Sequence, residues 1–166
     1  MAGGVGLEPI TEALLPAVHA LNQENAAELS SLTAPELAGL VAMSACAVAG
    51  LEAGRVVGFL LAFDERAPYA SPNYRWFLER YDRFLYVDRI AVSSARRGRA
   101  VGRSLYAHAI ELARRDRKGR LCCEVNVVPE NRASLRFHEA LRFRPCGRRV
   151  YPDGRREVLM HTLDVE

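Results

Sequence analysis

At 166 residues, 49% of them hydrophobic, the chain is sized for one domain built around one core, spanning 1–166. It carries no apolar run long enough to cross a bilayer, and its start lacks a basic stretch followed by an apolar one, so neither a membrane partner nor a secretory signal is expected. The net charge of +3 hides an asymmetry: residues 1–54 hold six acids and no base, which leaves +9 on the remainder.

In chain order, GLEPI at 6–10 reads as a first strand. Thr11 is placed to cap a helix marked by Leu14, Val18 and Leu21, with Pro16 in its first turn. Thr33 with Glu36 three residues later is a capping-box pattern for a second helix over 34–44. Residues 46–63 read as two strands joined by a tight turn at Ala53-Gly54. Pro68 and Pro72 then argue for a loop with a short helix at 73–81. Its aromatics, Tyr69, Tyr74, Trp76, Phe77 and Tyr81, suit either a local apolar cluster or the wall of a substrate pocket.

A strand at 83–92 leads into SSARRGRAVGRSL at 93–105 and a helix ending near 116, its face marked by Val101, Leu105, Ala109, Leu112 and Ala113. A strand at 120–128 follows, then a helical pattern from Pro129 to Leu141 with Ala133, Phe137, Ala140 and Leu141 inward. Two last strands flank PDG at 152–154 as a hairpin. The alternation of strands and helices predicts an α/β fold, a mixed sheet of about seven strands with helices on both faces.

The four cysteines, Cys46, Cys122, Cys123 and Cys146, form no CxxC pair and join no His cluster, so reduced thiols in a cytoplasm are expected and no metal site is. Between Arg96 and Arg120 stand nine bases against two acids. A glycine-bearing turn opening a helix presents free N–H groups and the positive end of the helix dipole, which together suit phosphate. Read alone, the turn fits a phosphate, a nucleic-acid backbone or plain water. Nucleic acid is disfavoured as a partner, because the aromatics are not interleaved with the bases.

Three blocks in order, LYVDRIAV, SSARRGRAVGRSL and EVNVVPENRASLRFHEALRF, resemble the GNAT superfamily of acyl-CoA N-acyltransferases. The resemblance implies a strongly twisted sheet that splays into a V between the strands at 85–92 and 121–127, with acetyl-CoA in the gap as co-substrate. It implies that backbone groups of Ile90, Ala91 and Val92 hold the pantetheine. The N–H groups of Arg97, Gly98, Arg99, Ala100, Val101, Gly102 and Arg103 hold the pyrophosphate. Asn131, Ser134 and Phe137 meet the cofactor's far side. The first glycine of the family's turn motif is Ala100 here, which fits without strain if its φ is negative; a negative φ is expected.

The implied reaction is direct attack by a primary amine, of a small molecule or a peptide, on the thioester. Glu124 is the first candidate base, with Asp88 its rival. His138 stands where the family carries a tyrosine acid, and it is the candidate acid because its ordinary pKa leaves a protonated fraction at pH 7; Tyr106 and Tyr151 are substitutes. A non-catalytic acyl-CoA-binding or sensing domain is the alternative, and a homodimer is left open.

Overall fold

The computed structural model describes residues 4–98 and 100–166. Seven strands form one sheet: β1 (Gly6–Pro9), β2 (Cys46–Glu52), β3 (Arg55–Asp64), β4 (Leu85–Val92), β5 (Arg120–Val128), β6 (Arg144–Val150) and β7 (Glu157–Asp164). Their spatial order is β1-β2-β3-β4-β5-β7-β6. Every neighbouring pair is antiparallel except β4 and β5.

Among the described residues six α-helices accompany them: α1 (Leu15–Glu24), α2 (Ala26–Leu29), α3 (Ala34–Met43), α4 (Pro72–Leu78), α5 (Val101–Arg115) and α6 (Arg132–Ala140). β3 shows how the sequence divides the core. Phe59, Leu61 and Phe63 point to one face, where Val18 of α1, Leu37 of α3 and Tyr74 and Phe77 of α4 cover them. Leu60 and Ala62 point to the other, against Leu105, Tyr106 and Ala109 of α5. Strict alternation along a strand buried on both faces thus builds two cores at once. The fit under α5 is close: a Cβ on Gly58 would stand 2.8 Å from Val101 Cγ1.

The local signals are realised unevenly. Thr33 and Glu36 form the full capping box of α3, Thr33 Oγ1 accepting from Glu36 N–H and Glu36 Oε2 from Thr33 N–H. Ala53 and Gly54, at φ +50 and +75, make the hairpin turn between β2 and β3. Thr11 makes no side-chain cap, because a 3₁₀ turn at Glu12–Leu14 intervenes before α1. The short α2 carries no periodic signal of its own. On α6, Ala133 and Ala140 are exposed rather than inward, and the buried residue is His138. Helix rotation is set by the bulky residues Phe137 and Leu141, which pack on the α5 side of the sheet.

The aromatic loop resolves as a cluster. Tyr74 packs against Phe63, Tyr69, Phe84 and Tyr86, and its hydroxyl donates to the Asp64 carbonyl at 2.6 Å. All four cysteines are free. Among the described residues no helix is long and apolar enough to cross a membrane.

Candidate active site

The sheet opens where β4 and β5 part. They pair only at Leu85 with Leu121 and Tyr86 with Cys122. Beyond Tyr86 one edge of β4 has no strand beside it, and a cavity of about 690 Å³ fills the gap. Backbone alternation decides which β4 groups face it. Ser93 N–H donates to the Val57 carbonyl on β3 at 2.8 Å. Ala91, two residues back, is therefore also turned to β3, whereas the N–H groups of Ile90 and Val92 face the gap. Ala91 also lines the cavity, but its backbone N–H is turned to β3.

The loop between β4 and α5 closes one end of the cavity. Among the described residues the first bond of α5 runs from Ser104 N–H to the Ala100 carbonyl, so the N–H groups of Val101, Gly102 and Arg103, in the first turn, have no partner within the helix. Ala100 sits at φ +64, not at the negative value expected. The backbone keeps the left-handed turn a glycine adopts freely, and alanine bears a cost of about 1–2 kcal/mol for it. Arg99 lies outside the described residues. Two arginines of the loop are bound elsewhere: Arg96 Nε to Glu52 at 2.8 Å, and Arg97 Nη2 to Asn25 Oδ1 at 2.6 Å. Their charge reaches the cavity, but their guanidinium donors are partly engaged.

Across the gap, Asn131 caps α6, its Oδ1 accepting from Ser134 N–H at 3.2 Å. Phe137 lies on the start of α5, so close that a Cβ on Gly102 would stand 2.8 Å from its Cζ. The α2 segment roofs the opening. Arg89 reaches from β4 to Asn22 Oδ1 at 2.9 Å and to the carbonyls of Leu29 and Ser30 at 2.8 and 3.1 Å, and Asn126 of β5 donates to the Glu28 carbonyl at 3.5 Å.

The sequence model of the acetyltransferase (GNAT) family matches residues 15–143. The chain belongs to the GNAT acetyltransferase family. No curated protein matches it significantly. Among solved structures, Ard1 from Thermoplasma volcanium superposes with a TM-score of 0.79 at 18% identity, covering 99% of each chain. The ribosomal-protein-S18-alanine N-acetyltransferase of Escherichia coli gives 0.72 at 18% identity over 97% of this chain and 94% of that one. The putative acetyltransferase yncA of Salmonella typhimurium, solved with acetyl-CoA, gives 0.73 at 18% over 99% and 95%.

In this acetyltransferase, Glu124 stands on β5, half-buried, and lines the cavity. Tyr86 donates its hydroxyl to both oxygens, at 2.9 and 2.8 Å, and Asn73 Nδ2 to one at 3.2 Å. Burial, and secondarily the nearby Asp88, pushes its pKa up from 4.5 to about 8. Asn73 is itself held by Arg149, whose Nη1 donates to Asn73 Oδ1 at 2.8 Å. Asp88 is fully committed: Tyr69 donates to one oxygen at 2.8 Å and Arg89 Nε to the other at 3.2 Å.

His138 does not keep the protonated fraction expected of it. Burial pulls its pKa down from 6.5 to about 4. Its Nδ1 lies 2.7 Å from the Ser134 carbonyl, which needs a proton on that nitrogen, so Nε2 accepts from the Tyr106 hydroxyl at 2.6 Å. A neutral ring with both nitrogens engaged is not an acid at neutral pH. Tyr86, Asn73 and Arg89 were not anticipated from the sequence. Tyr86 is findable in principle, being two residues from Asp88 on the same face of one strand; Asn73 beside Pro72 carries no such signal.

Proposed function

We propose that the chain transfers an acetyl group from acetyl-CoA to a primary amine by direct attack within a ternary complex. One observation carries this reading: β4 leaves β5 where free helix-start N–H groups and a raised-pKa carboxylate border one cavity. The cavity's donors suit a CoA thioester. Ile90 and Val92 offer strand-like backbone bonds to the pantetheine amides, and Val101, Gly102 and Arg103 offer N–H groups to the pyrophosphate, with Gly98 and Ala100 shaping the approach. Asn131, Ser134 and Phe137 flank the other side.

The thioester supplies the activated acyl carbon. Glu124 takes the proton that an alkylammonium, near pKa 10, must lose before its nitrogen is nucleophilic. A base near 8 at a neutral working pH is well matched to that task. The Val92 N–H is assigned to the acyl oxygen, where a preset donor lowers the barrier. A thiol has a pKa of about 8.5, close to that of Glu124, so its release needs no strong acid. His138 is left to orient Tyr106. Four free thiols favour a cytoplasmic enzyme.

A CoA-release screen over peptide N-termini, lysine, free amino acids, polyamines and aminoglycosides tests the reading. The likeness to the S18-alanine acetyltransferase puts peptide amines first. Turnover with intersecting initial-rate lines is the expected result. Stoichiometric acetyl-CoA binding with no CoA release on any amine would instead make the chain a binding domain.

A further inference from the structure

Two carboxylates border the cavity from neighbouring strands, Asp88 of β4 and Glu124 of β5, and their surroundings are unequal. Asp88 touches a guanidinium and a phenol: Arg89 Nε at 3.2 Å and the Tyr69 hydroxyl at 2.8 Å. Its side chain is 7% exposed and that of Arg89 is 8% exposed. Glu124 meets only neutral donors, Tyr86 and Asn73. Tyr86 lies between the two acids, two residues from Asp88 on one strand and bonded to Glu124. Its own hydroxyl is fully buried and held well above its ordinary pKa, first by burial and then by Glu124 and Asp88, so it stays a donor.

We infer that Asp88 and Glu124 form one coupled pair in which Asp88 ionises first and Glu124 last, with Asp88 as the positioning residue that makes the Glu124 carboxylate the stronger base. The inference rests on the reading of Glu124 as the base. Like charges at one enclosed site cannot both ionise cheaply, and the partner with a fixed cation ionises first. Burial raises the Asp88 carboxyl above its ordinary value, and Arg89 is the cation that offsets part of that rise. Its other donors are spent on Asn22, Leu29 and Ser30, so it cannot swing toward Glu124. The Asp88 anion then stands as a fixed negative charge that raises the proton affinity of Glu124.

The other groups facing the pair do not reverse this order. Tyr69 and Tyr86 are both raised phenols, donating and neutral. Arg149 reaches Glu124 only through Asn73, and the Tyr151 hydroxyl bonds that same amide nitrogen. Across the cavity stand Glu28 of α2 and Tyr106 of α5. The arrangement separates two demands: Asp88 carries the permanent charge, and Glu124 stays free to exchange a proton with an amine. It also ties the base to the roof of the cavity, because the guanidinium that fixes Asp88 also holds the α2 segment.

A ¹³C NMR titration of the side-chain carboxyls in the free protein tests this without any acceptor, Glu124 being identified by the resonance lost in Glu124→Gln. In the wild type, Asp88 is expected to ionise first and Glu124 last. In Asp88→Asn, the Glu124 midpoint is expected to fall by about one pH unit or more; in Tyr86→Phe, which removes a donor to the anion, it is expected to rise. An unmoved midpoint in Asp88→Asn overturns the pairing. If that variant does not fold, a wild-type titration in which Glu124 ionises before Asp88 overturns it equally. Full turnover by Glu124→Gln would sink the base assignment instead, while the titration still decides the pairing.

Discussion

The Tyr106 hydroxyl and His138 Nε2 lie 2.6 Å apart, and that contact joins α5 to α6 across the floor of the cavity. With Nδ1 committed to the Ser134 carbonyl, the direction of the bond is fixed: tyrosine gives, histidine takes. His138→Phe should therefore leave the pH dependence of turnover above about pH 6 unchanged. It leaves the buried Tyr106 hydroxyl without its acceptor, a cost of about 1–3 kcal/mol in stability. The histidine pKa is lowered on folding, so its share of stability is present above pH 6.5 and is lost as pH falls toward 4. Thermal melts at pH 7 and pH 5 should show the variant losing less on acidification than the wild type. A phenylalanine variant with a shifted alkaline limb would restore histidine as the acid.

Glu124→Gln keeps the shape of the site and removes the base. Turnover on whichever amine the screen identifies is expected to drop by about 10²-fold or more. Stability gives an independent reading. The Glu124 pKa is raised on folding, from 4.5 to about 8, so its contribution is complete below pH 4.5 and disappears as pH climbs through 8. The wild type should lose stability relative to the glutamine variant between those values, measured as the difference in melting temperature from pH 5 to pH 8.5. Parallel melting curves would mean that the carboxylate is solvated.

Ala100→Gly relieves the left-handed strain at φ +64 but loosens the unfolded chain. The net effect is expected to be a gain of no more than about 1 kcal/mol, with acetyl-CoA affinity by calorimetry equal to or tighter than that of the wild type. A weaker affinity would show that the methyl group itself contributes to binding.

Gly102→Ala makes the opposite change two residues on, in the first turn of α5. The added Cβ would meet Phe137 Cζ at 2.8 Å. Weaker acetyl-CoA binding is expected, and Phe137→Leu in the same chain should restore part of it. Equal loss with and without the second substitution would move the cause from the ring to the backbone.

How far the sequence reached depends on where each feature's cause is located. The capping box of α3 and the Ala53-Gly54 turn are local, written within four residues, and both were legible. The gap between β4 and β5 was legible through the order of three blocks. The state of His138 was not, because it depends on Tyr106, thirty-two positions away, and on burial no periodicity records. The φ of Ala100 went the other way from expectation for a related reason: loop closure between β4 and α5 dictated the backbone, and the side chain had to conform. Glu124 was placed correctly on the strand at the gap, but its donors come from α4 and β4, which only the folded chain brings to it.

The parted strands have a thermodynamic side. Past Tyr86 the β4 backbone presents donors and acceptors that no other strand satisfies, at the centre of the sheet rather than its rim. A molecule that runs along that edge completes the ladder and is available only to the native state. Such a ligand stabilises folding by RT ln(1 + [L]/Kd), about 2.7 kcal/mol at a hundredfold excess over Kd. The protein's resistance to unfolding is therefore expected to rise with the concentration of a ligand held along that edge, measured as a melting temperature that climbs with added acetyl-CoA.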